Sequence, residues 1–418
     1  MSTSKTILIV GTYDTKHDEL TFIADCIGQA GGKVLTMDVS VLGNCSFPPD
    51  YSKQDVAYAA QTSIEAIVAT DDENTAMQFM ANGASRLVSS LYAQSLFDGL
   101  IILGGSMGTD LALDVCMALP LGVPKYIVST VAFSSMIPAE RLAADTQMIL
   151  WAGGLYGLND ICKASLSQAA GAVLGAAQCA RLPVNEKPII GMTSLGKSAL
   201  TYMVRLKPAL EMRGFEVAIF HATGMGGRAF ESLASQGVFA CVFDFCTQEL
   251  GNDIHGSTIT AGPSRMTGAG LAGIPQLVAS GCTDLVDVVS SQPLAARWKQ
   301  HETHVHNRLI TSVVLNDEER REVADAITKQ LSKATAKTAF LLPLLGCGEW
   351  DREGAPLHDA QGYAAFCDQL RNHIPANVVL HEIDAHINDA AFADAALAVF
   401  DQWCADGVVK GAHTGALE

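Results

Sequence analysis

The chain has 418 residues, enough for two or three ordinary domains, and its 49% hydrophobic and 17% charged content indicates folded cores rather than disorder. Its formal net charge of -17, with no lysine or arginine run, would repel a phosphate backbone and excludes nonspecific nucleic-acid binding. Eleven scattered cysteines without a CxxC pair favour thiols in a reducing cytosol, and no stretch approaches the roughly 20 apolar residues of a membrane span. We therefore expect a cytoplasmic α/β protein that binds neither nucleic acid nor membrane.

The first strong pattern is ILIVGTYDTK at residues 7–16, in which four apolar residues lead into a polar turn. It predicts the first strand of a doubly wound sheet, which delivers the turn to the carboxyl edge where such folds bind ligands. A helix over 18–28 and a second strand over 33–39 complete a βαβ unit. Asp38 ends this second strand, at the place where an acidic residue commonly binds a ribose hydroxyl.

A second loop, GGSMGT at 104–109, follows an apolar strand and precedes a helix. Two such loops at one edge would present backbone N–H groups and a helix N-terminus to an anion, which we interpret as a nucleotide phosphate, with Asp14 placed to hold hydrated magnesium. The alternative is that the glycines only allow tight connections between strand and helix. The predicted cofactor-binding residues are Gly11, Thr12, Asp14, Thr15, Lys16, Asp38, Gly104, Gly105, Ser106, Gly108 and Thr109.

Strands and helices keep alternating, which is typical of a parallel sheet covered on both faces. A polar segment with two prolines at 181–188 predicts a boundary between a nucleotide-binding domain at 1–183 and a second domain at 184–418. Beyond it, IIGMTS at 189–194 precedes a lysine, a helix and a strand in the order seen at the start of the chain. We expect an α/β fold with two Rossmann-like parallel-sheet domains, related as a weak internal repeat.

Residues 191–198, GMTSLGKS, match the P-loop pattern, and the strand ending at Asp244 could supply its magnesium-holding partner. Such a loop would seat phosphates on its backbone, with Lys197 bridging them. However, the strand before Gly191 would then be only Ile189-Ile190 behind a proline, and the internal repeat extends it into Thr193. We therefore favour an accidental match, because short patterns recur by chance.

Further polar side chains lie at the carboxyl ends of strands predicted in the second half. The predicted catalytic residues are His221, Asp244, Glu249 and Asp384, and they are accompanied by His255, Arg265, Asp284, Glu382 and His386. Imidazoles and carboxylates brought together in this way can bind a metal or perform general acid–base chemistry. In the alternative interpretation His221 is a satisfied core residue, Asp284 caps a helix and Arg265 pairs with a carboxylate.

Alternation places Glu382, Asp384 and His386 on one face of an extended segment. We expect a polar loop over 246–257 and an irregular, solvated segment over 300–309. The histidines of that second segment come without cysteines or an apolar helical period, so a zinc site is not favoured there.

Several of these motifs together resemble a known family. They are GTYDTKHDEL at 11–20, GGSMGT at 104–109, FHATGMGG at 220–227, DFCTQELGNDIHG at 244–256, AGPSRM at 261–266 and HEIDAHINDAAFADA at 381–395. They resemble the Tm-1-like ATP-binding family, also called UPF0261, which is similar to the inhibitory region of the plant tomato-mosaic-virus resistance protein Tm-1. The resemblance implies two Rossmann-like domains, ATP with Mg²⁺, and a homodimer.

Three functions remain open at the level of sequence. The first is an enzyme that uses Mg-ATP, or a nucleotide-like ligand, together with a small acidic or carbonyl metabolite in a cleft between the halves. The second is a metal-dependent hydrolase or lyase that needs no nucleotide. The third is a regulatory or protein-binding module that ATP stabilises.

Overall fold

The computed structural model describes residues 4–153, 157–181 and 186–411. The chain divides into two compact units, Met1–Val184 (unit 1) and Asn185–Glu418 (unit 2), and each unit contains its own parallel sheet. The predicted α/β class with two Rossmann-like parallel sheets is confirmed. The predicted boundary between residues 183 and 184 lies outside the described residues.

The described part of unit 1 forms a five-stranded sheet in the order β2-β1-β3-β4-β5. Its strands are β1 (Thr6–Gly11), β2 (Lys33–Asp38), β3 (Gly99–Gly104), β4 (Lys125–Ser129) and β5 (Thr146–Leu150). Its helices are α1 (His17–Gln29), α2 (Lys53–Ala59), α3 (Ile64–Val68), α4 (Glu73–Ala93), α5 (Ser106–Met117) and α6 (Asp160–Cys179).

The uninterrupted apolar run of β1 follows from burial on both faces of the sheet. Ile7 and Ile9 pack into a core with α1 and α6, whereas Leu8 and Val10 pack into a core with α4 and α5. A strand covered on both sides needs apolar residues at every position rather than at alternate ones. This is why the sequence pattern located β1 correctly.

The described part of unit 2 forms a six-stranded parallel sheet in the order β14-β13-β9-β8-β6-β7. Its strands are β6 (Ile189–Ser194), β7 (Glu216–His221), β8 (Phe239–Cys246), β9 (Gln276–Gly281), β13 (Thr338–Pro343) and β14 (Val378–Ile383). Its helices are α7 (Thr201–Met212), α8 (Met225–Ser235), α9 (Gln248–Ile254), α10 (Gly268–Leu271), α11 (Asp317–Leu331), α12 (Ala360–His373) and α13 (Ala390–Ala405). Counted within each parallel sheet, the first five strands have the order 2-1-3-4-5 in both units, as the internal repeat predicts.

A small antiparallel sheet, in the order β10-β12-β11, is also part of unit 2. Its strands are β10 (Leu285–Val289), β11 (Thr303–Val305) and β12 (Ile310–Val314). The expectation of an irregular segment over 300–309 was therefore wrong for β11. This strand has only three residues, and its pairing with β12 positions it, so no local pattern marks it.

The expectation of a polar loop over 246–257 was also wrong, because α9 lies within it. Gln248, Glu249 and Asn252 of this helix are buried. Glu249 and Asn252 are satisfied by hydrogen bonds, such as the one from Asn252 Nδ2 to Ile259 O at 2.7 Å. A buried polar helix has no apolar period, so hydrophobicity could not reveal it.

The P-loop match is not realised as a phosphate loop. Gly191 lies inside β6, as the internal repeat predicts, and a Cβ there would come within 3.0 Å of the Phe230 and Phe239 rings. The following helix, α7, begins only at Thr201, three residues beyond Ser198. No helix in the described part of the chain is long and apolar enough to cross a membrane.

Candidate functional site

The sheet of unit 1 reverses its winding between β1 and β3. These strands are direct neighbours, with Val10 in register with Ile102. Helix α1 leaves β1 toward the face shared with α6, and α5 leaves β3 toward the opposite face shared with α4. Because the two loops diverge, they leave a crevice at the carboxyl edge, which is the usual ligand site of a doubly wound sheet. The sequence had predicted both loops for this edge.

The loop after β1 is held by its own backbone. Thr12 O accepts hydrogen bonds from the N–H groups of Thr15 at 3.2 Å and Lys16 at 2.8 Å, and the two threonine hydroxyls lie 2.9 Å apart. Lys16 is the N-cap residue of α1, and its Nζ lies 5.7 Å from the centroid of the Trp151 ring, a cation–π distance. Gly11, which ends β1, is buried under Leu20 of α1.

Two carboxylates tie this loop to the segment after β2. Asp38 is buried, and its Oδ1 accepts hydrogen bonds from the N–H groups of Tyr13 at 3.2 Å and Ser40 at 3.0 Å. Asp14 Oδ2 accepts from Gly43 N at 3.0 Å, and its Oδ1 lies 3.0 Å from the Ser40 hydroxyl. Asp38 Oδ1 is thus used inside the protein, so a contact to a ribose would need Oδ2.

The loop after β3 is built on close packing of two glycines. A Cβ on Gly104 would lie 2.6 Å from Gly108 Cα, so β3 and α5 approach each other more closely than larger residues allow. Thr109 is buried; its hydroxyl donates to Gly105 O at 2.7 Å and lies 2.6 Å from the Ser129 hydroxyl of β4. Gly105 precedes α5, and the first helical residue, Ser106, is exposed at the edge.

A pocket of about 450 Å³ lies beside the N-terminus of α5. Ser106, Met107 and Thr109 form one wall, and Met77 and Met136 contribute apolar surface. Arg141 is the cation of the pocket, but it already forms ion pairs with Asp110 and Asp114. The residues of the loop after β1 do not line this pocket. Of the two loops at this edge of the sheet, only the loop after β3 therefore contacts the pocket.

In unit 2, two of the predicted catalytic residues belong to one buried ion-pair cluster. We call Arg265, Glu231, Asp244 and Glu249 the Arg265 cluster. The Arg265 guanidinium is 0% exposed and lies 2.5 Å from Asp244 Oδ2, 2.8 Å from Glu249 Oε2 and 3.0 Å from Glu231 Oε1. Burial raises the pKa of Glu231 and of Glu249, and Arg265 acts against that rise. Burial also works to lower the pKa of Arg265, but the carboxylates outweigh it and hold the guanidinium charged.

The Arg265 cluster occupies the position in unit 2 that corresponds to the β1–β3 crevice. Asp244 lies on β8 and accepts a hydrogen bond at 2.8 Å from the Thr193 hydroxyl on β6, the neighbouring strand where this sheet reverses. Arg265 Nη2 also donates to Cys246 O at 2.9 Å. The alternative interpretation, in which Arg265 pairs with a carboxylate, describes this arrangement.

The other two predicted catalytic residues are not brought together with this cluster. His221 ends β7 and Asp384 follows β14, and these strands are opposite edges of the six-stranded sheet. Both residues are exposed. Neighbouring strands lie about 4.8 Å apart, so His221 and Asp384 are separated by roughly 24 Å across the sheet. The four residues therefore do not form one catalytic group.

The expected common face of Glu382, Asp384 and His386 is not formed either. Strand β14 ends at Ile383, so the alternation stops before His386. Glu382 and Asp384 are exposed, whereas His386 is 1% exposed. The His386 Nε2 donates to Gly348 O at 2.9 Å.

Sequence reasoning missed a compact group of potential ligand atoms in unit 2. Asp284, Cys347 and Asp351 are all buried, and one donor atom from each lies within 4.8 Å of the others. Burial, reinforced by the Asp284 carboxylate, raises the pKa of Asp351 to about 7, and burial also raises the pKa of the Cys347 thiol. Only Asp284 had been singled out; the available signal was the LGCGEWD turn directly after β13.

These observations define a doubly wound α/β protein with two units of common strand order and a candidate anion site at the crevice of unit 1. A family model described as "Uncharacterised protein family (UPF0261) N-terminal domain" matches residues 5–181. The model of the C-terminal domain of the same family matches residues 187–404. The chain belongs to the UPF0261 family. The resemblance found in the sequence is confirmed.

A UPF0261 protein of Brucella melitensis is 54% identical over 98% of both chains. The ToMV resistance protein Tm-1(GCR237) of Solanum lycopersicum is 27% identical, over 94% of this chain and 55% of that protein. A solved Streptomyces glycosyltransferase, SsfS6 complexed with thymidine diphosphate, covers 66% of this chain and 81% of its own at 15% identity, but its TM-score of 0.21 supports no argument about function.

Proposed function

We propose that unit 1 binds a nucleotide, Mg-ATP, and that its carboxyl edge holds the phosphates. The observation that carries this proposal is the strand order, which makes β1 and β3 neighbours while α1 and α5 leave to opposite faces. This arrangement puts a cation-bearing loop and a helix N-terminus on the same edge. Both features favour negative charge, because the first N–H groups of a helix lack intrahelical partners and carry the positive end of its dipole.

The residues of the edge suggest a division of roles in this proposal. The first-turn N–H groups of α5, from Ser106 to Gly108, donate to phosphate oxygens, and no side chain of the described residues caps them. Lys16, with the Thr12 and Thr15 hydroxyls, contributes the positive and polar groups of the opposite loop. Asp14 fits a magnesium ion held through water, because each of its oxygens is engaged by one protein contact and keeps a further lone pair.

The geometry favours nucleotide binding over the acid–base chemistry expected for unit 2. Asp244 and Glu249 are engaged by Arg265, and His221 and Asp384 lie on opposite edges of the sheet. An enzyme that combines ATP with a small acidic or carbonyl metabolite remains our proposal for the use of the nucleotide. Steady ATP turnover with such a metabolite would separate it from a regulatory module stabilised by ATP. The family resemblance also leads us to propose a cytoplasmic homodimer, which light scattering on the purified chain tests.

Isothermal titration with ATP, with and without Mg²⁺, tests the nucleotide site. The sharpest variant is Ser106→Asp, because an acidic first residue favours the α5 helix itself yet repels a phosphate at its N-terminus. We expect at least about a tenfold loss of affinity, equivalent to roughly 1.4 kcal/mol. The matched control is Thr201→Asp, at the exposed first residue of α7 in unit 2, which should bind Mg-ATP like the wild type.

A second pair of variants separates the two lysine motifs of the sequence. Lys16→Ala should weaken Mg-ATP binding, whereas Lys197→Ala, in the accidental P-loop match, should leave it unchanged. Absence of ATP binding by the wild type, or equal losses in both lysine variants, would refute the proposed site.

A further inference from the structure

The strongest unassigned feature is the buried group formed by Asp284, Cys347 and Asp351, which we call the Asp–Cys–Asp group. We propose that it is a Zn²⁺ site of unit 2, separate from the nucleotide site proposed for unit 1. The three residues come from the carboxyl ends of two neighbouring strands, since β9 leads to Asp284 and β13 leads to Cys347 and Asp351. Their exposed fractions are 2%, 0% and 1%, respectively.

The distances within the group match those of ligands around one ion. Cys347 Sγ lies 3.2 Å from Asp284 Oδ1 and 3.7 Å from Asp351 Oδ2. A thiolate sulfur about 2.3 Å and a carboxylate oxygen about 2.1 Å from tetrahedral zinc stand about 3.6 Å apart. Both sulfur–oxygen distances are within about 0.4 Å of this value. All three donor atoms lie within 4.8 Å of one another, close enough to contact one ion.

The donor types also point to this metal. A thiolate with two carboxylate oxygens combines a soft and a hard ligand, which suits a borderline ion such as Zn²⁺ better than Mg²⁺ or Ca²⁺, whose ligands are oxygens. Without an ion, the thiol must donate its proton to the carboxylates, and two acidic groups remain side by side in the protein interior. A divalent ion would replace the thiol proton and pair with the buried carboxylates, and buried charges are normally paired or bound to a metal.

The protein supplies only part of the compensating positive charge. Arg320 is 0% exposed and acts electrostatically on both Cys347 and Asp351. Its Nη2 also lies 3.0 Å from Asp359 Oδ2, and neither Nη1 nor Nη2 makes a hydrogen bond with suitable geometry. The charge of Arg320 is thus shared between the group and Asp359. Three deprotonated ligands carry three negative charges, and Arg320 carries one positive charge. A divalent cation would neutralise the two negative charges that remain.

The fourth coordination position has a route to the outside. A pocket of about 520 Å³ reaches Asp351 and is also lined by Arg352 and His386. Gly346 has φ +123°, and a Cβ on it would lie 3.1 Å from Asp351 Oδ2 and 2.7 Å from His386 Cδ2. The glycine thus keeps a small space open between these two side chains. A metal with three protein ligands and an open position can take a water molecule or a small anion from the pocket.

Cobalt substitution tests the site in the full chain. After the protein is stripped with a chelator, Co²⁺ titration should saturate at one ion per chain and give a sulfur-to-cobalt charge-transfer band in the near ultraviolet. Zn²⁺ should displace Co²⁺ and remove the band, and elemental analysis should find zinc in the untreated protein. Cys347→Ser should abolish the band. The matched control is Cys367→Ser, a buried cysteine that lines the same pocket and should keep the band.

A second variant tests the site independently, in case Cys347→Ser does not fold. Asp351→Asn retains the thiol and the shape of the side chain, so it should keep the band while Co²⁺ affinity falls at least about tenfold, as expected for a lost ligand charge. Circular dichroism and urea midpoints show whether each variant is folded. A wild-type chain that binds no stoichiometric metal, or a band that persists in folded Cys347→Ser or disappears in folded Cys367→Ser, would overturn the assignment.

Discussion

The sheets of units 1 and 2 share one order of their first five strands, yet their reversal points are filled differently. In unit 1 the loops after β1 and β3 leave a polar edge, with a pocket beside the N-terminus of α5. In unit 2 the equivalent place, between β6 and β8, holds the buried guanidinium of Arg265 among three carboxylates. The strand order determines where a ligand can sit, and the side chains decide whether the protein's own charges occupy that place.

The glycine-rich loops show the same difference in more detail. Helix α8 begins within HATGMGG and has an internal anion at its N-terminus, because Glu249 Oε1 accepts hydrogen bonds from Gly224 N at 2.5 Å and Gly227 N at 3.2 Å. A Cβ on Gly227 would lie 1.7 Å from Glu249 Oε2, so glycine is needed for this approach. Helix α5 begins within GGSMGT and receives no side-chain cap among the described residues. In unit 2 the Glu249 carboxylate thus supplies negative charge at the helix N-terminus. In unit 1 we propose that the phosphates of a nucleotide supply it.

The largest loss of stability should follow from removing the Arg265 guanidinium at the reversal point of the unit 2 sheet. Arg265→Met leaves buried carboxylates without their cation, and loss of one partner from a buried ion pair typically lowers stability by about 3–5 kcal/mol. Arg205→Met is the matched control, because its pair with Asp394 is about half exposed and contributes at most about 1 kcal/mol. Urea unfolding of both variants measures the difference. Equal stability of the two variants would mean that the carboxylates of the Arg265 cluster are neutral in the folded protein.

Ligands should distinguish the two units by protecting different segments. At about 100 times its dissociation constant, Mg-ATP would stabilise the unit that binds it by roughly 2.7 kcal/mol, which slows exchange through full unfolding of that unit about 100-fold. Hydrogen exchange followed by mass spectrometry should show this protection around residues 11–16 and 104–109. Zn²⁺ should instead protect peptides that contain Asp284 and Cys347. Protection of unit 2 by Mg-ATP would reverse the roles assigned to the two sheets.

The fold was largely predictable from sequence because local signals sufficed for most elements. β1 and β3 are apolar runs that end in glycine-rich turns, which is the pattern that located both strands. Where the signal is tertiary, prediction failed. Helix α9 buries polar side chains that bond to distant backbone, since Asn252 Oδ1 accepts from Asp287 N at 2.9 Å, and β11 exists through its pairing with β12.

The sites were predicted less completely, for the same reason. Sequence position put Asp38 at the end of its strand, but it could not reveal that Oδ1 would bond to the backbone of Tyr13 and Ser40. The Asp–Cys–Asp group joins residues 63 positions apart in the chain, through the neighbouring strands β9 and β13. Its ligand atoms meet only because of sheet pairing, which no spacing in the sequence encodes.

A smaller effect should follow from disturbing the glycine contact of unit 1. In Gly104→Ala the new methyl group would meet the Gly108 backbone at 2.6 Å, so β3 and α5 must separate. Such overpacking lowers stability by about 1–3 kcal/mol and displaces the N–H groups proposed to bind phosphate, so Mg-ATP affinity should fall as well. Gly171→Ala in α6, where nothing lies within 4 Å, should raise stability by about 0.5–1 kcal/mol and leave affinity unchanged. Urea unfolding followed by circular dichroism measures the stability, and isothermal titration measures the affinity.

The smallest effect concerns acid sensitivity of unit 2 through His255, the C-cap residue of α9. Burial, with the nearby Arg297 guanidinium, lowers the pKa of His255, and Glu319 and Glu322 act in the opposite direction. The side chain is 1% exposed, and its Nε2 has no hydrogen-bond partner. Because the folded pKa lies below the unfolded value of about 6.5, the unfolded chain binds the proton first, and stability is lost as the pH falls through that value.

His255→Asn removes this titration, so between pH 7.5 and 5.5 it should lose up to about 1 kcal/mol less stability than the wild type. Urea midpoints at the two pH values provide the measurement. His221→Asn is the matched control, because it replaces an exposed histidine of the same unit. An identical pH dependence in wild type and His255→Asn would show that Glu319 and Glu322 fully offset burial. The acid sensitivity of unit 2 would then have to come from its other buried groups rather than from the end of α9.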